Sequence, residues 1–422
     1  MAEHRKRIVH NFISLSLVQG LSIVFPLITF PYLLRVLGVE GFGVFTLIQT
    51  VIMYFDLLVS FGFGLTATQH IARSLNDAEK TNHTIAAVYL IKTALFILSL
   101  LVFLLGCLFV PYLREHVLFI LISSLYLLGN ILFPDWYFQG IQKMRNITVV
   151  AFISKFIGLL LIVLLVKEKT DIVYAILSFS AGNFIAGAIG FLILGRTISL
   201  NRLKLPGKQF ILSLFKESAY VFTSIILAPL YSSVNLFILQ AFTNPLMVGY
   251  YAIAEKIYSA VVMLTNIANR TFYPHLSQLY STSVTAYRKN VRVIVLLFLS
   301  AFSLLAIVQF LGARYIVQLV SGKTAEADIG YAIEILKIMS AGLLFSPFVS
   351  FFFQLMIIQG QKKAAIVNIS AAVVLNLLSG SIFTHFYSGK GMAINLCLIV
   401  FFLAFLNFVS FRKKHTMAVN PV

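Results

Sequence analysis

Charged residues are scarce in this chain of 422 residues, because Asp, Glu, Lys and Arg together make up only 11% of it. Soluble domains carry about 25% charged residues, so the chain has too little polar surface to cover a water-facing globule. Hydrophobic residues make up 60% of the sequence, and 40 Phe and 18 Tyr supply side chains suited to lipid contact and interfacial belts. The composition indicates an integral membrane protein.

Cysteine and catalytic motifs are nearly absent as well. Cys107 and Cys397 both lie inside apolar runs, which argues against a disulfide and leaves no metal-ligand spacing. No phosphate-binding Gly-rich loop, nucleophile elbow or zinc motif occurs. We therefore expect no cofactor, no metal and no enzymatic activity.

Acidic residues are few, 14 against 32 basic ones, and the net charge is +18. The basic residues form short clusters between long apolar runs, which is typical of the cytoplasmic loops of membrane proteins. No RNA- or DNA-binding module is recognisable. We expect no nucleic-acid partner.

Apolar runs of roughly 18 residues or more predict bilayer-crossing helices, because lipid offers no partner to a free backbone group. The first run lacks a small-residue cleavage site, which indicates a retained helix and not a signal peptide. We predict an all-α integral membrane protein of about twelve transmembrane helices. They lie near residues 11–33, 42–64, 84–110, 117–138, 147–166, 172–195, 217–240, 247–269, 291–312, 333–358, 364–387 and 390–411.

The distribution of Lys and Arg among the connecting loops sets the orientation. With a cytoplasmic N-terminus, the inside segments hold 21 of these residues and the outside segments hold 8. The bias predicts that both termini are cytoplasmic and that the number of helices is even.

A long basic loop near residues 196–216 separates two candidate halves. It divides the chain into an N-terminal six-helix lobe, 1–200, and a C-terminal six-helix lobe, 201–422. Six crossings in each half would make the repeat parallel, which is a transporter architecture.

Two pairs of segments support this repeat. Leu37–Phe45 is similar to Phe242–Tyr251, and Gln139–Lys143 is similar to Gln359–Lys363. The alternative is chance similarity among apolar segments of low complexity.

Charged side chains inside the predicted spans are the candidate substrate-binding residues, since a charge at mid-bilayer usually faces a wet cavity or a partner. The candidates are Asp56, Lys92, Lys155, Glu255 and Lys256 within spans, and Arg35 and Arg270 near helix ends. We expect these side chains to line a cavity that binds an anion or couples to a cation.

Each candidate has a structural alternative. Asp56 could instead form a buried ion pair with Lys92 or Lys155 that ties helices together. Glu255 and Lys256 are neighbours about 100° apart on a helix, so they point in different directions. For Arg35 the alternative is interfacial anchoring, whereas the polar helix end before Arg270 favours contact with a cavity or gate.

Amide side chains recur in the spans. They suit sugar hydroxyls, because each amide offers a donor and an acceptor, and they also suit hydrogen bonds between helices, worth roughly 0.6–2 kcal/mol each. The set comprises Gln19, Gln49, Asn130, Asn183, Asn235, Asn266, Asn269, Asn368, Asn376 and Asn395.

Prolines in the first helix of each predicted half predict matching kinks. They are Pro26 and Pro31 in the first half and Pro229 in the second. Such bends would suit alternating access.

Three segments resemble motifs of the bacterial polysaccharide transporter family: Leu37–Phe45, Phe63–Arg73 and Pro134–Met144. This is the Wzx-type O-antigen flippase family, within the multidrug/oligosaccharidyl-lipid/polysaccharide exporter superfamily. The resemblance spans most of the chain. It implies two six-helix lobes around a central cavity in a bacterial inner membrane. It also implies export of undecaprenyl-pyrophosphate-linked oligosaccharide to the outer leaflet, with membrane lipids, a polysaccharide polymerase and a chain-length regulator as candidate partners.

The residues suit that substrate. Its pyrophosphate and sugars cannot cross hydrocarbon unaided, while its lipid tail can stay in the bilayer. Lys92, Lys155, Lys256 and Arg270 would meet the phosphates as charge-assisted partners.

Three other functions stay open. A lipid II flippase of the same superfamily generally has extra C-terminal helices, and a multidrug cation antiporter should carry acidic cavity residues. A membrane-embedded glycosyltransferase or polymerase belongs to a different class. Polymerases of this pathway usually display a large external loop, whereas the longest outside loop here, near residues 313–332, is short.

Overall fold

The structure is a computed structural model and describes residues 2–198, 204–322 and 326–417. Within these ranges every regular element is an α-helix, as backbone surrounded by lipid requires. The helices are α1 (Ala2–Ser60), α2 (Phe63–Arg73), α3 (Ala78–Phe109), α4 (Pro111–Glu115), α5 (Val117–Leu132), α6 (Asp135–Gly140), α7 (Met144–Leu165), α8 (Ile172–Thr197), α9 (Lys208–Phe242), α10 (Pro245–Thr282), α11 (Val284–Ser321), α12 (Glu326–Gly342), α13 (Ser346–Ile358) and α14 (Lys362–Met417).

Nine segments of the described residues are long and apolar enough to cross a bilayer. Two of them, Val24–Arg73 with 50 residues and Lys362–Lys413 with 52, are more than twice the length of about 20 residues that one crossing needs. Each contains a backbone break, at Gly38 (φ 74°) in α1 and at Ser388 (φ 51°) in α14. The all-α membrane fold is confirmed, and the count of about twelve helices stays a prediction.

Two predicted spans are interrupted. The span near 117–138 stops at Leu132, and α6 starts again at Asp135, because Pro134 lacks an N–H group and restricts the residue before it. The span near 333–358 breaks between α12 and α13, where Pro347 stands in the first turn of α13. The first interruption places Asp135 at the start of a short helix.

The chain divides by packing into two units, and the division falls inside α9. Unit 1 comprises the residues up to Gly38 and Phe45–Ile226, and unit 2 comprises Val39–Val44 and the residues from Leu227 onward. Residues 208–226 therefore pack with unit 1, although the predicted boundary between lobes was at 200. The two-lobe division of the sequence stays a prediction.

The ends of α6 and α13 share one turn geometry. In α6 the N–H of Lys143 donates to the carbonyl of Phe138, and in α13 the N–H of Gln361 donates to the carbonyl of Met356, both at 2.8 Å. Gln142 (φ 59°) and Gly360 (φ 74°) hold the left-handed position before these donors, as in a Schellman motif. Residues that correspond in this turn geometry, such as Lys143 and Gln361, are 218 positions apart. The Gln-Gly similarity seen in the sequence pairs Gln139 with Gln359, which are 220 positions apart. The sequence match is therefore shifted by two residues from the structural match.

The core of unit 1 fixes α2 and α6 near the candidate residues. Phe63 and Ile71 of α2 are buried beside Val88 of α3 and Trp136 of α6. The Thr68 hydroxyl donates to the Trp136 carbonyl at 3.1 Å. The side chains around Asp135 are thereby held in a packed environment.

Candidate functional site

Unit 1 contains a cavity of about 260 Å³, here called the lysine cavity. Lys92 of α3 lies in its wall and is only 2% exposed. Its ammonium donates to the backbone oxygen and to the side-chain oxygen of Asn130, both at 3.0 Å. The other lining residues are Leu57, Ser60, Gly62, Phe63, Gly64, Leu65, Asp135, Trp136, Phe222 and Ile225.

Two carboxylates act on the Lys92 ammonium from farther away than Asn130. Asp135 at the start of α6 and Asp56 of α1 both attract it electrostatically. This attraction reduces the positive potential that Lys92 presents to an anionic headgroup within unit 1. The buried Oδ1 of Asp56 accepts no hydrogen bond from the described residues.

Asp135 was not among the residues singled out from the sequence. The sequence feature that could have identified Asp135 is its position directly after Pro134, because it becomes the first residue of a new helix there. A carboxylate there is favoured by the helix dipole. Its approach to Lys92 depends on the packing of α3 against α6 and cannot be read from spacing.

Lys155 of α7 is in a different situation. Its side chain is half-buried, and no hydrogen bond or ion pair joins it to the part of the chain that the structure describes. It lies about 16 Å from the start of α7 and about 15 Å from its end, at 1.5 Å per residue. This position near the middle of the helix is unfavourable for snorkelling to an interface, so we expect the charge to face water or a ligand.

Unit 2 contains a larger cavity of about 390 Å³, here called the amide cavity. Glu255 of α10 lines it, and one of its carboxylate oxygens accepts a hydrogen bond from the Ser259 hydroxyl at 3.2 Å. The remaining lining residues are Asn235, Tyr258, Ser259, Val262, Met263, Asn266, Ser346, Val349, Ser350, Asn376, Leu396, Ile399 and Val400.

Buried amides form a chain that includes Asn235 and Asn376 of the amide cavity lining. The Asn395 amide donates to Asn376 at 2.6 Å, and the Asn376 amide donates to Asn235 at 2.8 Å. The Asn235 amide in turn donates to the hydroxyl of Tyr251 at 3.1 Å. These contacts join α9, α10 and both parts of α14, which is the interhelical role weighed for the amides.

The other candidates do not gather with these residues. Lys256 is exposed on unit 2 while its neighbour Glu255 turns into the amide cavity, so the two point in different directions. Arg35 is exposed on α1. Arg270 belongs to α10, and its side chain falls outside the described residues.

The three groups differ in what they can bind. The lysine cavity places its cation on Asn130 and near two carboxylates. The amide cavity offers one carboxylate with amides and hydroxyls, and Lys155 offers a cation without a carboxylate partner among the described residues. Among the described residues, no group of three or more His, Cys, Asp or Glu side chains is placed to hold a metal ion.

The fold is shared with solved structures of membrane transporters. A multidrug resistance MATE family transporter of the MOP superfamily, in an inward-facing conformation, superposes with a TM-score of 0.70 at 12% identity, covering 94% of this chain and 99% of that one. The lipid II flippase MurJ, in an inward closed conformation, gives a TM-score of 0.68 at 15% identity, covering 97% of this chain and 91% of that one.

The chain belongs to the family described as "Polysaccharide biosynthesis protein", whose sequence pattern its residues 8–280 match. A protein of Escherichia coli (strain K12) named "Putative O-antigen transporter" is 32% identical over 400 residues, which are 92% of this chain and 94% of that protein. A Shigella dysenteriae protein of the same name is 32% identical over 283 residues, which are 66% of this chain and 70% of that protein.

These similarities confirm the polysaccharide transporter family inferred from the motifs. The relatives and the structural neighbours are named as transporters or as a flippase. The chain is accordingly a multi-pass membrane transporter and not an enzyme.

Proposed function

We propose that this protein is a flippase for undecaprenyl-pyrophosphate-linked oligosaccharide, an O-antigen or related surface polysaccharide repeat unit. It would carry this cargo from the cytoplasmic to the outer leaflet of the bacterial inner membrane, with both of its own termini in the cytoplasm. Membership of the polysaccharide biosynthesis family and the O-antigen transporter names of its relatives support this cargo.

The observation that carries the proposal is the unmatched charge of Lys155. A cation at mid-bilayer costs several kcal/mol unless it meets water or a counter-charge. The part of the chain that the structure describes supplies no carboxylate to Lys155, so a passing phosphate is a fitting partner. Charge-assisted hydrogen bonds from an ammonium to phosphate oxygens are among the stronger ones in proteins.

Lys256 extends this argument. It lies about 16 Å into α10 from Pro245, at 1.5 Å per residue, and it is exposed. An exposed ammonium at that depth needs water or an anion on the side that it faces. Arg270 was also predicted to contact the phosphates, and this prediction rests on the sequence alone.

The charges of unit 1 weigh against a multidrug cation antiporter. Such a carrier needs a carboxylate that is available to a cationic substrate. Asp56 and Asp135 both attract the Lys92 ammonium, so they are less available to a cationic substrate. Glu255 in the amide cavity of unit 2 is the carboxylate that a cation could still reach.

The experiment uses a strain whose chromosomal copy is deleted and replaced by a variant. Lys155→Ala should abolish surface polysaccharide and leave lipid-linked oligosaccharide on the cytoplasmic leaflet, with normal protein abundance. Lys155→Arg should retain part of the activity because it keeps the charge. Lys143→Ala, an exposed lysine just before α7, is the matched control and should behave as wild type.

Two results would count against the proposal. Wild-type polysaccharide in the Lys155→Ala strain would remove the residue that carries it. Truncated glycans in the deletion strain, without accumulation of the complete lipid-linked unit, would point to a transferase.

A further inference from the structure

The amide cavity offers more space than a bound ion alone would fill. Its volume of about 390 Å³ equals that of roughly a dozen liquid water molecules at about 30 Å³ each. Oxygen ligands enclose a bound metal ion at roughly 2–2.6 Å, which leaves no such space. The volume falls in the range of about 300–1,000 Å³ that small-molecule pockets occupy.

The polar groups of this cavity match hydroxyls. Glu255 keeps one carboxylate oxygen free of the Ser259 contact, and the Asn266 amide makes no hydrogen bond to the described residues although it lines the cavity. Ser350 also lines the cavity, and its hydroxyl accepts a hydrogen bond at 2.7 Å from the amide of Asn269, which lies behind the wall. Carboxylate and amide groups together can accept from and donate to neighbouring hydroxyls.

Apolar side chains also line the cavity. They include Val262, Met263, Val349 and Ile399. A sugar ring has polar edges and faces of C–H groups, so a pocket lined by both amides and aliphatic side chains fits its two kinds of surface.

The charge of the pocket restricts the sugar. Glu255 is the one charged residue among the described lining residues, and the adjacent Lys256 points elsewhere. A carboxylate on a sugar would be repelled at this site, whereas a neutral hydroxyl or the ammonium of an amino sugar would be accepted.

We infer that the amide cavity is a subsite for the sugar part of the cargo and that it selects neutral or amino sugars over acidic ones. This inference rests on the proposed function. It assigns the sugar to unit 2 and adds a specificity determinant, Glu255, to the phosphate contact expected at Lys155.

The test measures binding to the full chain in lipid nanodiscs with three probes. They are undecaprenyl pyrophosphate alone, the same lipid carrying one N-acetylhexosamine, and the same lipid carrying one uronic acid. The neutral sugar should raise affinity by about tenfold over the bare lipid, as one or two well-formed hydrogen bonds would. The uronic acid should raise it little or lower it.

Two variants locate the effect. Asn266→Ala should remove most of the gain from the neutral sugar without changing affinity for the bare lipid. Glu255→Gln should increase affinity for the uronic-acid probe several-fold, an increase that a folding defect would not produce. Ser300→Ala, in α11 and outside the cavity lining, is the control and should match wild type for all three probes.

The outcomes separate this inference from the proposed function. If wild type binds none of the probes, the proposed function fails and the inference with it. If it binds all three equally and the cavity variants change nothing, the flippase proposal stands and the sugar subsite is wrong. Displacement of the neutral-sugar probe by a lipophilic cation, absent in Glu255→Gln, would make the cavity a cation site and overturn the inference.

Discussion

Gly43 and Gly249 pack backbone against backbone within unit 2. A Cβ atom added to Gly43 would lie 2.2 Å from the carbonyl oxygen of Pro245, and one added to Gly249 would lie 2.1 Å from the carbonyl oxygen of Val39. Val39 and Pro245 are 206 positions apart, as are Gly43 and Gly249. The contact is therefore reciprocal, as across a local twofold axis, and it joins the two segments whose similarity suggested the repeat.

Alanine at either glycine should destabilise the protein. Both added methyl groups would collide with backbone atoms, which cannot rotate away, so we expect a cost at or above the usual 1–3 kcal/mol of overpacking. The measurement is the temperature at which the purified protein loses its monodisperse peak in size-exclusion chromatography. Gly64→Ala is the matched control, because nothing lies within 4 Å of its added Cβ. Equal melting of Gly43→Ala, Gly249→Ala and Gly64→Ala would contradict the close contact.

Methionine at Lys92 and at Lys155 should have opposite effects on stability. Lys92→Met removes the cation that attracts Asp56 and Asp135 and the donor to both oxygens of Asn130, so we expect a loss of about 1–3 kcal/mol. Lys155→Met removes a cation that has no partner in the described residues, so stability should stay level or rise while transport is lost.

Trp136 is suited to follow the unfolding of both lysine variants, since it is the single tryptophan of the chain and lines the lysine cavity. Adding Asp56→Asn to Lys92→Met should recover part of the lost stability, because it removes one unmatched charge. If the Lys92→Met protein were as stable as wild type, the attraction between Lys92 and the carboxylates of Asp56 and Asp135 would contribute nothing to stability.

The helical architecture was predictable because a long apolar run in lipid has few alternatives. The positions at which helices are interrupted were harder to predict. Pro134 and Pro347 mark the interruptions in two spans, yet proline inside a span also permits a continuous helix, as Pro26 and Pro31 do inside α1.

The intramembrane charges were found by sequence, but their partners were not. Lys92 and Lys155 look alike as lysines in apolar runs, and only the packing of α3 against α5 and α6 shows that Lys92 has carbonyl and carboxylate partners. Glu255 and Lys256 were separable in advance, since adjacent helical residues point about 100° apart. Which of them enters the amide cavity depends on how α10 packs within unit 2.

The middle of the amide chain should be its most sensitive position. Asn376→Leu removes the hydrogen bonds to Asn235 and Asn395 and leaves the oxygen of Asn235 and the amide of Asn395 without these partners. We expect a loss of about 1–3 kcal/mol. Cys397 lies beside this chain and donates to the Ile338 carbonyl, so labelling of its thiol by a maleimide dye in a Cys107→Ser background reports the unfolding of this region.

Replacing Asn235, Asn376 and Asn395 together by Leu should cost less than the sum of the three single changes, because the amides then no longer leave one another unsatisfied. The hydroxyls of Tyr251 and Ser379 lose a contact to this set in the triple variant. Asn266→Ala is the comparison within unit 2, and its stability should change by no more than about 0.5 kcal/mol. An Asn376→Leu protein as stable as Asn266→Ala would mean that the chain contributes nothing to packing.

Two contacts attach the start of α9 to α2, and the buried one should be the stronger. The hydroxyls of Thr66 and Ser218 are 2.7 Å apart and buried, whereas His70 and Glu217 form a contact of 2.8 Å with side chains 29% and 50% exposed. A double-mutant cycle of Thr66→Val with Ser218→Ala should give a coupling of about 1 kcal/mol that does not vary with salt. The cycle of His70→Ala with Glu217→Ala should give a coupling of roughly 0.2–1 kcal/mol that decreases as ionic strength rises.

Trp136 fluorescence follows both cycles, because Trp136 packs in the same core as α2. A larger coupling for the exposed pair, or a salt-dependent one for the hydroxyl pair, would show that charge and not burial holds α9 on α2.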